Sequence, residues 1–185
     1  MASIPDDFYK RIEPWLLRQI ARTLRSAHRI VDLGCGDCRL AGFLAEQKAD
    51  RDVVGIDVSD GAFPKARDCG AGLRCIKADA RHVGFLGSGV VDAVVSLYAL
   101  HELGAPMACL REARRLVRPG GAVLIIDFPK GSLAQRLWRE RYYSTGEVAR
   151  LLRRAGFAMV RARRTARRQL TWATAFKPEP KRGSP

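Results

Sequence analysis

The stretch Ile30-Val31-Asp32-Leu33-Gly34-Cys35-Gly36-Asp37-Cys38 decides the fold of this 185-residue chain. Its first residues are typical of a buried strand, which ends in an acidic residue and a Gly-x-Gly turn before a helix begins. Glycine adopts backbone angles that are closed to other residues, and it lets the main chain approach a ligand without an intervening side chain. We therefore expect a ligand to lie directly on this turn.

Short apolar runs alternate with helical segments from His28 onward, as in a parallel sheet built from strand–helix–strand units. The predicted strands are residues 29–33, 53–57, 73–77, 91–96 and 122–127, and the predicted helices between them are residues 38–47, 61–68 and 106–117. Ser144 and Glu147 have the spacing of a capping box, which predicts a helix from there through Ala155.

The last two apolar runs, residues 157–166 and 169–177, lie too close together for a crossover helix and predict an antiparallel hairpin. The fold class that follows is α/β, with a doubly wound, mostly parallel seven-stranded sheet that has an antiparallel C-terminal edge. This is the Rossmann-like arrangement.

One domain is predicted for residues 1–177. Residues 1–27 would be a helical cover, with an amphipathic helix over 6–27 that Pro14 interrupts. Residues 28–127 would form the ligand-binding core and residues 128–177 a second cover with the edge hairpin, whereas the charged, proline-containing tail 178–185 is predicted to be disordered. No stretch has the roughly 18 to 20 apolar residues of a membrane span, so we expect a cytoplasmic protein that does not bind membranes. We also expect it to be a monomer or a homodimer.

A second acidic residue, Asp57, ends the next predicted strand, 23 residues after Gly34. A carboxylate in this place can accept both hydroxyls of a ribose. The dinucleotide fingerprint needs a third glycine three residues after Gly36, where this chain has Arg39. With Asp32 before the turn, the loop suits the ammonium of an amino acid better than a diphosphate.

These residues resemble the first two motifs of the class I S-adenosylmethionine-dependent methyltransferase family, in particular its small type-11-like domain. The resemblance extends across about residues 28–127, where residues 77–80, 91–103 and 116–121 are similar to the later motifs. It implies S-adenosyl-L-methionine as cofactor and S-adenosyl-L-homocysteine as product. The residues that it assigns to the cofactor are Asp32, Leu33, Gly34, Cys35, Gly36, Asp57, Val58, Asp79, Ala80 and Ser96. The family's third glycine falls at Cys38, where we expect a small residue to be tolerated in helical backbone.

The acceptor side is less distinct, because the methyl donor is already activated and the enzyme chiefly aligns two bound reactants. His101 and Glu102 follow the fourth strand, and Tyr98 lies nearer to its end, so these three are candidate catalytic residues. The alternative for His101 is that it packs or hydrogen-bonds locally without taking part in the chemistry. Tyr142 and Tyr143 are candidate substrate-side residues, whereas Trp138 is assigned to the core of the covering helix.

Cys35 and Cys38 form a C-x-x-C, which is also a pattern of redox and metal sites. Their position inside the turn and the lack of a second such pair argue against both, so no metal site is predicted. We expect all five cysteines to be reduced thiols.

The charge of the chain is uneven. The net charge is +14, and residues 130–185 hold 15 Lys and Arg against three Glu. Such a surface suits RNA, although the charges of the last hairpin also protect a sheet edge. The preferred function is methyl transfer to a small molecule, with an RNA methyltransferase and a non-catalytic cofactor-binding accessory protein as alternatives.

Overall fold

The computed structural model describes residue 5, residues 7–65 and residues 69–180, and its centre is one seven-stranded sheet. The strands are β1 (Arg29–Leu33), β2 (Asp52–Asp57), β3 (Leu73–Lys77), β4 (Val91–Leu97), β5 (Val117–Asp127), β6 (Ala158–Thr165) and β7 (Leu170–Phe176). Their order across the sheet is β3-β2-β1-β4-β5-β7-β6. All neighbouring pairs are parallel except those of β7, which is antiparallel to β5 and β6. The predicted fold class is confirmed.

Helices cover both faces of the sheet. They are α1 (Phe8–Thr23), α2 (Arg39–Glu46), α3 (Pro106–Leu116), α4 (Leu133–Trp138) and α5 (Thr145–Arg154). Ile30 packs in the apolar layer with α1, α2 and α4, whereas its neighbour Val31 packs in the layer with α3 and α5. Successive side chains of a strand point to opposite faces, and this alternation also sorts the polar residues at the strand ends. Among the described residues, no helix is both long and apolar enough to span a bilayer.

Pro14 does not divide the N-terminal helix, which runs unbroken from Phe8 to Thr23. Proline removes the hydrogen bond to the carbonyl four residues earlier. Here that carbonyl belongs to Lys10, which is exposed, so water can satisfy it. The described helix is shorter than the predicted 6–27, and residues 1–4 and 6 lie outside the described residues.

The prediction of a helix over 61–68 is wrong in its described part. Residues 61–65 form a turn and irregular backbone, and residues 66–68 lie outside the described residues. This segment contains Gly61 and Pro64, two residues that disfavour a helix interior. β1 and β3 have the predicted bounds, and the other predicted elements are present with shifted ends, while the short helix α4 was not predicted.

The capping box at the start of α5 is confirmed. The Ser144 hydroxyl accepts a hydrogen bond from the Glu147 backbone N–H at 3.2 Å, and the Glu147 carboxylate accepts one from the Ser144 N–H at 2.7 Å. Both contacts satisfy N–H groups that a helix start leaves without partners. Of the predicted tail, residues 178–180 lack regular structure, and residues 181–185 lie outside the described part.

Two expectations about Cys38 are corrected by the structure. Its backbone is left-handed, with φ of 59°, and not helical, so this position has the conformation that glycine adopts most easily. Its sulfur is bonded to that of Cys75 on β3, so the five cysteines are not all free thiols. Sequence spacing could not reveal this contact, because 37 residues separate the two cysteines.

Candidate active site

A pocket of about 350 Å³ opens at the carboxyl ends of β1, β2 and β4. Strand order reverses between β1 and β4, which is where open α/β sheets bind ligands. Helices α1 and α2 form its cover through Leu17 and Leu40. Among its lining residues are Glu13, Asp32, Gly34, Cys35, Gly36, Asp37, Arg39, Asp57, Val58, Ala80, Leu97, Tyr98, Ala99 and Glu102.

The wall of this pocket is strongly acidic. It contains the carboxyl groups of five residues, Glu13, Asp32, Asp37, Asp57 and Glu102, and a single guanidinium, that of Arg39. Arg39 itself is held by Glu13, with Nη1 and Oε1 2.9 Å apart. A cation is favoured in such surroundings and a diphosphate is opposed.

Asp32 is the most deeply buried of these acids, with an exposed fraction of 1%. Its Oδ1 is buried and accepts no hydrogen bond from any described residue. Burial, together with the charges of Asp57 and Asp37, raises the pKa of Asp32 to about 7. A carboxylate in this state is stabilised by a cationic group that donates hydrogen bonds to it.

Asp57 organises the turn from the end of β2. Its Oδ2 accepts the Gly36 N–H at 2.9 Å, and its Oδ1 accepts the Ser59 N–H at 3.0 Å. Each oxygen retains acceptor capacity toward the pocket. Val58 beside it is 66% exposed and offers an apolar surface.

The two glycines of the turn have different structural roles. A Cβ on Gly34, where φ is 75°, would lie 2.4 Å from the Cβ of Ala99, so this glycine permits the close approach of β1 to the segment after β4. A Cβ on Gly36, where φ is 53°, would meet no atom within 4 Å. The main chain at Gly36 therefore faces the open pocket.

Three of the residues assigned to the cofactor lie outside this pocket. Leu33 and Ser96 point to the opposite face of the sheet, next to Leu100, because each follows or precedes a residue that faces the pocket. Asp79 is held by Arg81, whose Nε lies 2.8 Å from its Oδ2. The other assigned residues line the pocket together.

An aromatic cluster adjoins the pocket, formed by Tyr9, Tyr98, His101, Phe128, Trp138 and Tyr142. Tyr98 stacks on Phe128 with a centroid distance of 4.4 Å and an interplanar angle of 8°. Its φ of 59° is a strained conformation for a bulky residue, and its buried hydroxyl has no hydrogen-bond partner among the described residues. A fixed aromatic wall with one free hydroxyl therefore borders the pocket.

His101 lies behind this wall and is oriented by Asp127. Its Nδ1 is 2.7 Å from Asp127 Oδ1, its backbone N–H donates to Asp127 Oδ2 at 2.9 Å, and its Nε2 is 3.0 Å from Glu140 Oε2. Burial lowers the pKa of His101, but the hydrogen bond and charge of Asp127, with Glu102 and Glu140, outweigh it and raise the pKa above its usual value. The imidazole is thus poised to take up a proton.

The candidate catalytic residue Glu102 lines the pocket, and burial raises its pKa. One ligand atom from each of His101, Glu102 and Glu140 lies within 4.8 Å of the others, a spacing that suits a metal ion. His101 Nε2 is the centre of this group, 3.0 Å from Glu140 Oε2 and 3.6 Å from Glu102 Oε1.

The two tyrosines assigned to the substrate side lie on opposite faces of the sheet. Tyr142 is buried in the aromatic cluster, 4.5 Å from the His101 ring centroid. Tyr143 packs in the opposite apolar layer, with α3 and α5. Trp138, assigned to the core, is 47% exposed at the rim of the cluster, where its ring contacts Phe128.

Residues 31–125 match the model of the methyltransferase domain family, which is half of the chain. The chain belongs to this family. An uncharacterised methyltransferase of Mycobacterium tuberculosis is 34% identical over 109 residues, which are 59% of this chain and 55% of the relative. The demethylmenaquinone methyltransferase of Thermus thermophilus is 32% identical over 120 residues, 62% of this chain and 54% of that protein. The chain spans about half the length of these curated relatives.

The same fold is found in the 1,6-didemethyltoxoflavin-N1-methyltransferase of Burkholderia thailandensis, solved with 1,6-didemethyltoxoflavin and S-adenosylhomocysteine. The TM-score is 0.69 at 23% sequence identity, and the match covers 94% of this chain and 84% of that one. The family resemblance predicted from the motifs is confirmed.

Several residues of this methyltransferase domain's site were missed by the sequence analysis. Glu13 and Arg39 join α1 to the start of α2 over the pocket. Asp127 and Phe128 follow the apolar part of β5 and organise His101 and Tyr98. An acidic residue at the end of a predicted parallel strand was a usable signal, since Asp57 was found in that way.

The basic C-terminal part of the methyltransferase domain forms a separate groove. It lies between α5 and the edge hairpin, and Arg153, Arg161 and Arg163 are among its lining residues. The hairpin is at one edge of the sheet, whereas the acidic pocket lies at the ends of β1, β2 and β4. β7 contributes Trp172 and Thr174 to the groove, so β5 is the strand that separates the two surfaces.

Proposed function

We propose that this protein transfers a methyl group from S-adenosylmethionine to a planar small molecule that bears an acidic hydroxyl. The observation that carries the proposal is the acidic pocket with the buried, unpartnered oxygen of Asp32. The cofactor is a cation with an amino-acid end, and its ammonium would donate hydrogen bonds to that oxygen. The fit rests on the donor and acceptor chemistry of the pocket.

The remaining parts of the cofactor have matching surfaces. Asp57 retains acceptor capacity for the ribose hydroxyls, and the exposed side chain of Val58 with Ala80 offers an apolar edge for adenine. The cofactor supplies an electrophilic methyl group on sulfur. The chain's own residues orient that group and, through the covers α1 and α2, exclude water from it.

The acceptor class is inferred from the aromatic cluster. Aromatic rings prefer stacked or edge-on contacts with other planar groups, and Tyr98, Phe128 and Tyr142 border the pocket or lie next to its wall. The Thermus relative is named a demethylmenaquinone methyltransferase, and the Burkholderia structure holds 1,6-didemethyltoxoflavin, so both names point to small-molecule acceptors.

His101 would remove the proton of the acceptor hydroxyl. The raised pKa makes it a good acceptor, and Asp127 fixes the proton on Nδ1, so Nε2 is the atom that accepts. Its contact with Glu140 has to give way to the acceptor, and the half-exposed Glu140 would also have to leave the Tyr142 hydroxyl, which donates to it at 3.3 Å. Loss of the hydroxyl proton activates either the oxygen or the adjacent ring carbon, so the product identifies the methylated atom.

The proposal is tested with calorimetry and labelled cofactor. Wild-type protein should bind S-adenosylhomocysteine and transfer label to a pool of hydroxylated aromatic and quinol compounds, and ribonuclease should not reduce this transfer. His101→Asn should keep the affinity for S-adenosylhomocysteine and lose about 100-fold or more in turnover. His82→Asn, in an exposed histidine outside the pocket, is the matched control. Absence of S-adenosylhomocysteine binding in the wild type would refute the proposal.

A further inference from the structure

We propose that Cys38 and Cys75 form a reversible disulfide site through which oxidation tightens cofactor binding. The proposal rests on the cofactor-binding function proposed above. It assigns a role to Cys38, the second cysteine of the C-x-x-C, which does not line the pocket, and adds a cysteine from another strand.

Three sulfur atoms meet beneath the turn. The Sγ atoms of Cys35 and Cys38 are 3.3 Å apart, and Cys38 is bonded to Cys75. The Cα atoms of Cys38 and Cys75 are 6.5 Å apart, within the usual range for a disulfide. The backbone therefore holds these two residues at bonding separation.

Gly55 makes the room for these sulfurs. It lies on β2, paired with Asp32 of β1 on one side and with Cys75 of β3 on the other. A Cβ on Gly55 would lie 2.8 Å from the Cys38 Sγ and 3.0 Å from the Cys35 Sγ. Any larger side chain at this position would displace the two sulfur atoms, so their close packing depends on this glycine.

Burial and charge select the pair that reacts. Burial, followed by the charges of Asp32 and Asp57, strongly raises the pKa of Cys35, which keeps this residue a thiol. Cys38 is 2% exposed, whereas Cys75 is partly exposed. An external reagent therefore reaches the site at Cys75, and Cys38 completes the bond from inside.

The reaction is thiol–disulfide exchange with a small disulfide such as oxidised glutathione. The Cys75 thiolate attacks the reagent, forms a mixed disulfide and releases one reduced thiol. The Cys38 thiolate then attacks the Cys75 sulfur and releases the second. The two cysteines lose two electrons and two protons in total, and the reagent gains them as two thiols. A dithiol reverses the reaction.

The bond acts on both sides of the cofactor crevice. Cys38 belongs to the turn, and Cys75 belongs to β3, which leads to Ala80 in the pocket wall. Cys38 has the left-handed φ of 59°, which is unfavourable for a residue with a Cβ. In the oxidised form the bond holds this conformation, whereas in the reduced form the turn can relax away from it. The oxidised form is therefore the better preorganised for the cofactor.

The test compares protein equilibrated with oxidised glutathione and protein equilibrated with dithiothreitol. Peptide mapping after alkylation should find Cys38 linked to Cys75 in the first sample and both alkylated in the second. Calorimetry should find S-adenosylhomocysteine bound about fivefold more tightly by the oxidised protein. This is the ratio expected when the reduced protein has to return one residue to the left-handed conformation on binding. Equal affinities of the two samples, or no Cys38–Cys75 link after oxidation, would overturn the proposal.

Variants separate this effect from general thiol damage. Cys75→Ser should bind the cofactor product as the reduced wild type does, under both conditions. Cys109→Ser removes a buried thiol in the layer of α3 and α5 and should keep the wild-type response. A redox response that persists in Cys75→Ser would contradict the assigned pair. If neither wild-type sample binds S-adenosylhomocysteine, the proposed function fails and redox control of its binding fails with it, while the mapping still decides whether the bond forms.

Discussion

His101 and Asp127 are joined twice, by a 2.7 Å contact between Nδ1 and Oδ1 and by a 2.9 Å hydrogen bond from the His101 backbone N–H to Oδ2. The contacts tie the loop after β4 to the end of β5. Because the neighbouring Tyr98 N–H also donates to the Ile126 carbonyl at 2.8 Å, main chain and side chain fix the same register. The orientation of the imidazole is therefore built into the sheet.

We expect Asp127→Asn to move the rate–pH profile to lower pH and to reduce the maximal rate. Asp127 raises the pKa of His101, so an uncharged amide lets that pKa fall. A general base acts when it is unprotonated, so methylation in the wild type should rise with pH through a midpoint above 6.5, the ordinary value for histidine. The measurement is the initial rate between about pH 5.5 and 9, with the exposed Glu46→Gln as control. An unchanged midpoint would contradict the role of His101.

We expect Asp57→Ala to weaken binding of S-adenosylhomocysteine by more than about tenfold. The substitution removes the acceptor of the Gly36 N–H and the acceptor proposed for the ribose, and each hydrogen bond to a charged group contributes about 1.5 to 3 kcal/mol. Asp79→Ala is the matched control, because Asp79 is held by Arg81 outside the pocket, and its affinity should remain within about twofold of wild type. Calorimetry on both variants decides the point, and a loss of more than about twofold in Asp79→Ala would return that residue to the cofactor site.

The glycine turn and the ends of the strands were predictable because they depend on local sequence. An apolar run that ends in Asp57 needs no knowledge of its neighbours to be recognised as a strand end. The alternation of side chains between the two faces of a strand was also predictable from the sequence. Asp32 and Leu33 are consecutive in a strand, so only one of them can face the pocket. The same argument separates Ser96 from Leu97.

The contacts between distant segments could not be predicted. The meeting of Cys38 with Cys75 depends on the registers of β1 with β2 and of β2 with β3, and that of His101 with Asp127 on the register of β4 with β5. The register of two strands depends on how their whole faces pack, so it cannot be read from any single residue of the sequence. The left-handed backbone of Cys38 did have a local signal, because the family's third glycine falls at this position and glycine adopts such a conformation most easily.

We expect Arg51→Met to destabilise the fold by about 3 kcal/mol or more. Arg51 is 2% exposed and donates to the carbonyls of Leu24, Ala27 and Leu44 at 3.0 to 3.1 Å. These carbonyls lie at or beyond the ends of α1 and α2. The variant would remove three hydrogen bonds, and it would leave the Ala27 carbonyl without a donor among the described residues, whereas those of Leu24 and Leu44 keep the N–H groups of Ala27 and Gln47. Urea unfolding measures the change. Arg74→Met, which removes an exposed pair with Asp52, should cost less than about 1 kcal/mol, and equal costs for the two variants would refute the argument.

We expect the double variant Arg161→Gln, Arg163→Gln to leave methylation of a small-molecule acceptor within about twofold of wild type. The two arginines line the groove at the hairpin edge and do not line the acidic pocket. An RNA acceptor would behave differently, since a protein with 6 to 10 phosphate contacts loses about 10³-fold or more in affinity between 50 and 200 mM salt. Turnover of both proteins should be measured at these two salt concentrations, with the exposed Arg25→Gln, Arg111→Gln as a control of equal charge. A steep salt dependence that the groove variant abolishes would identify a polyanion as the acceptor and replace the proposed substrate class.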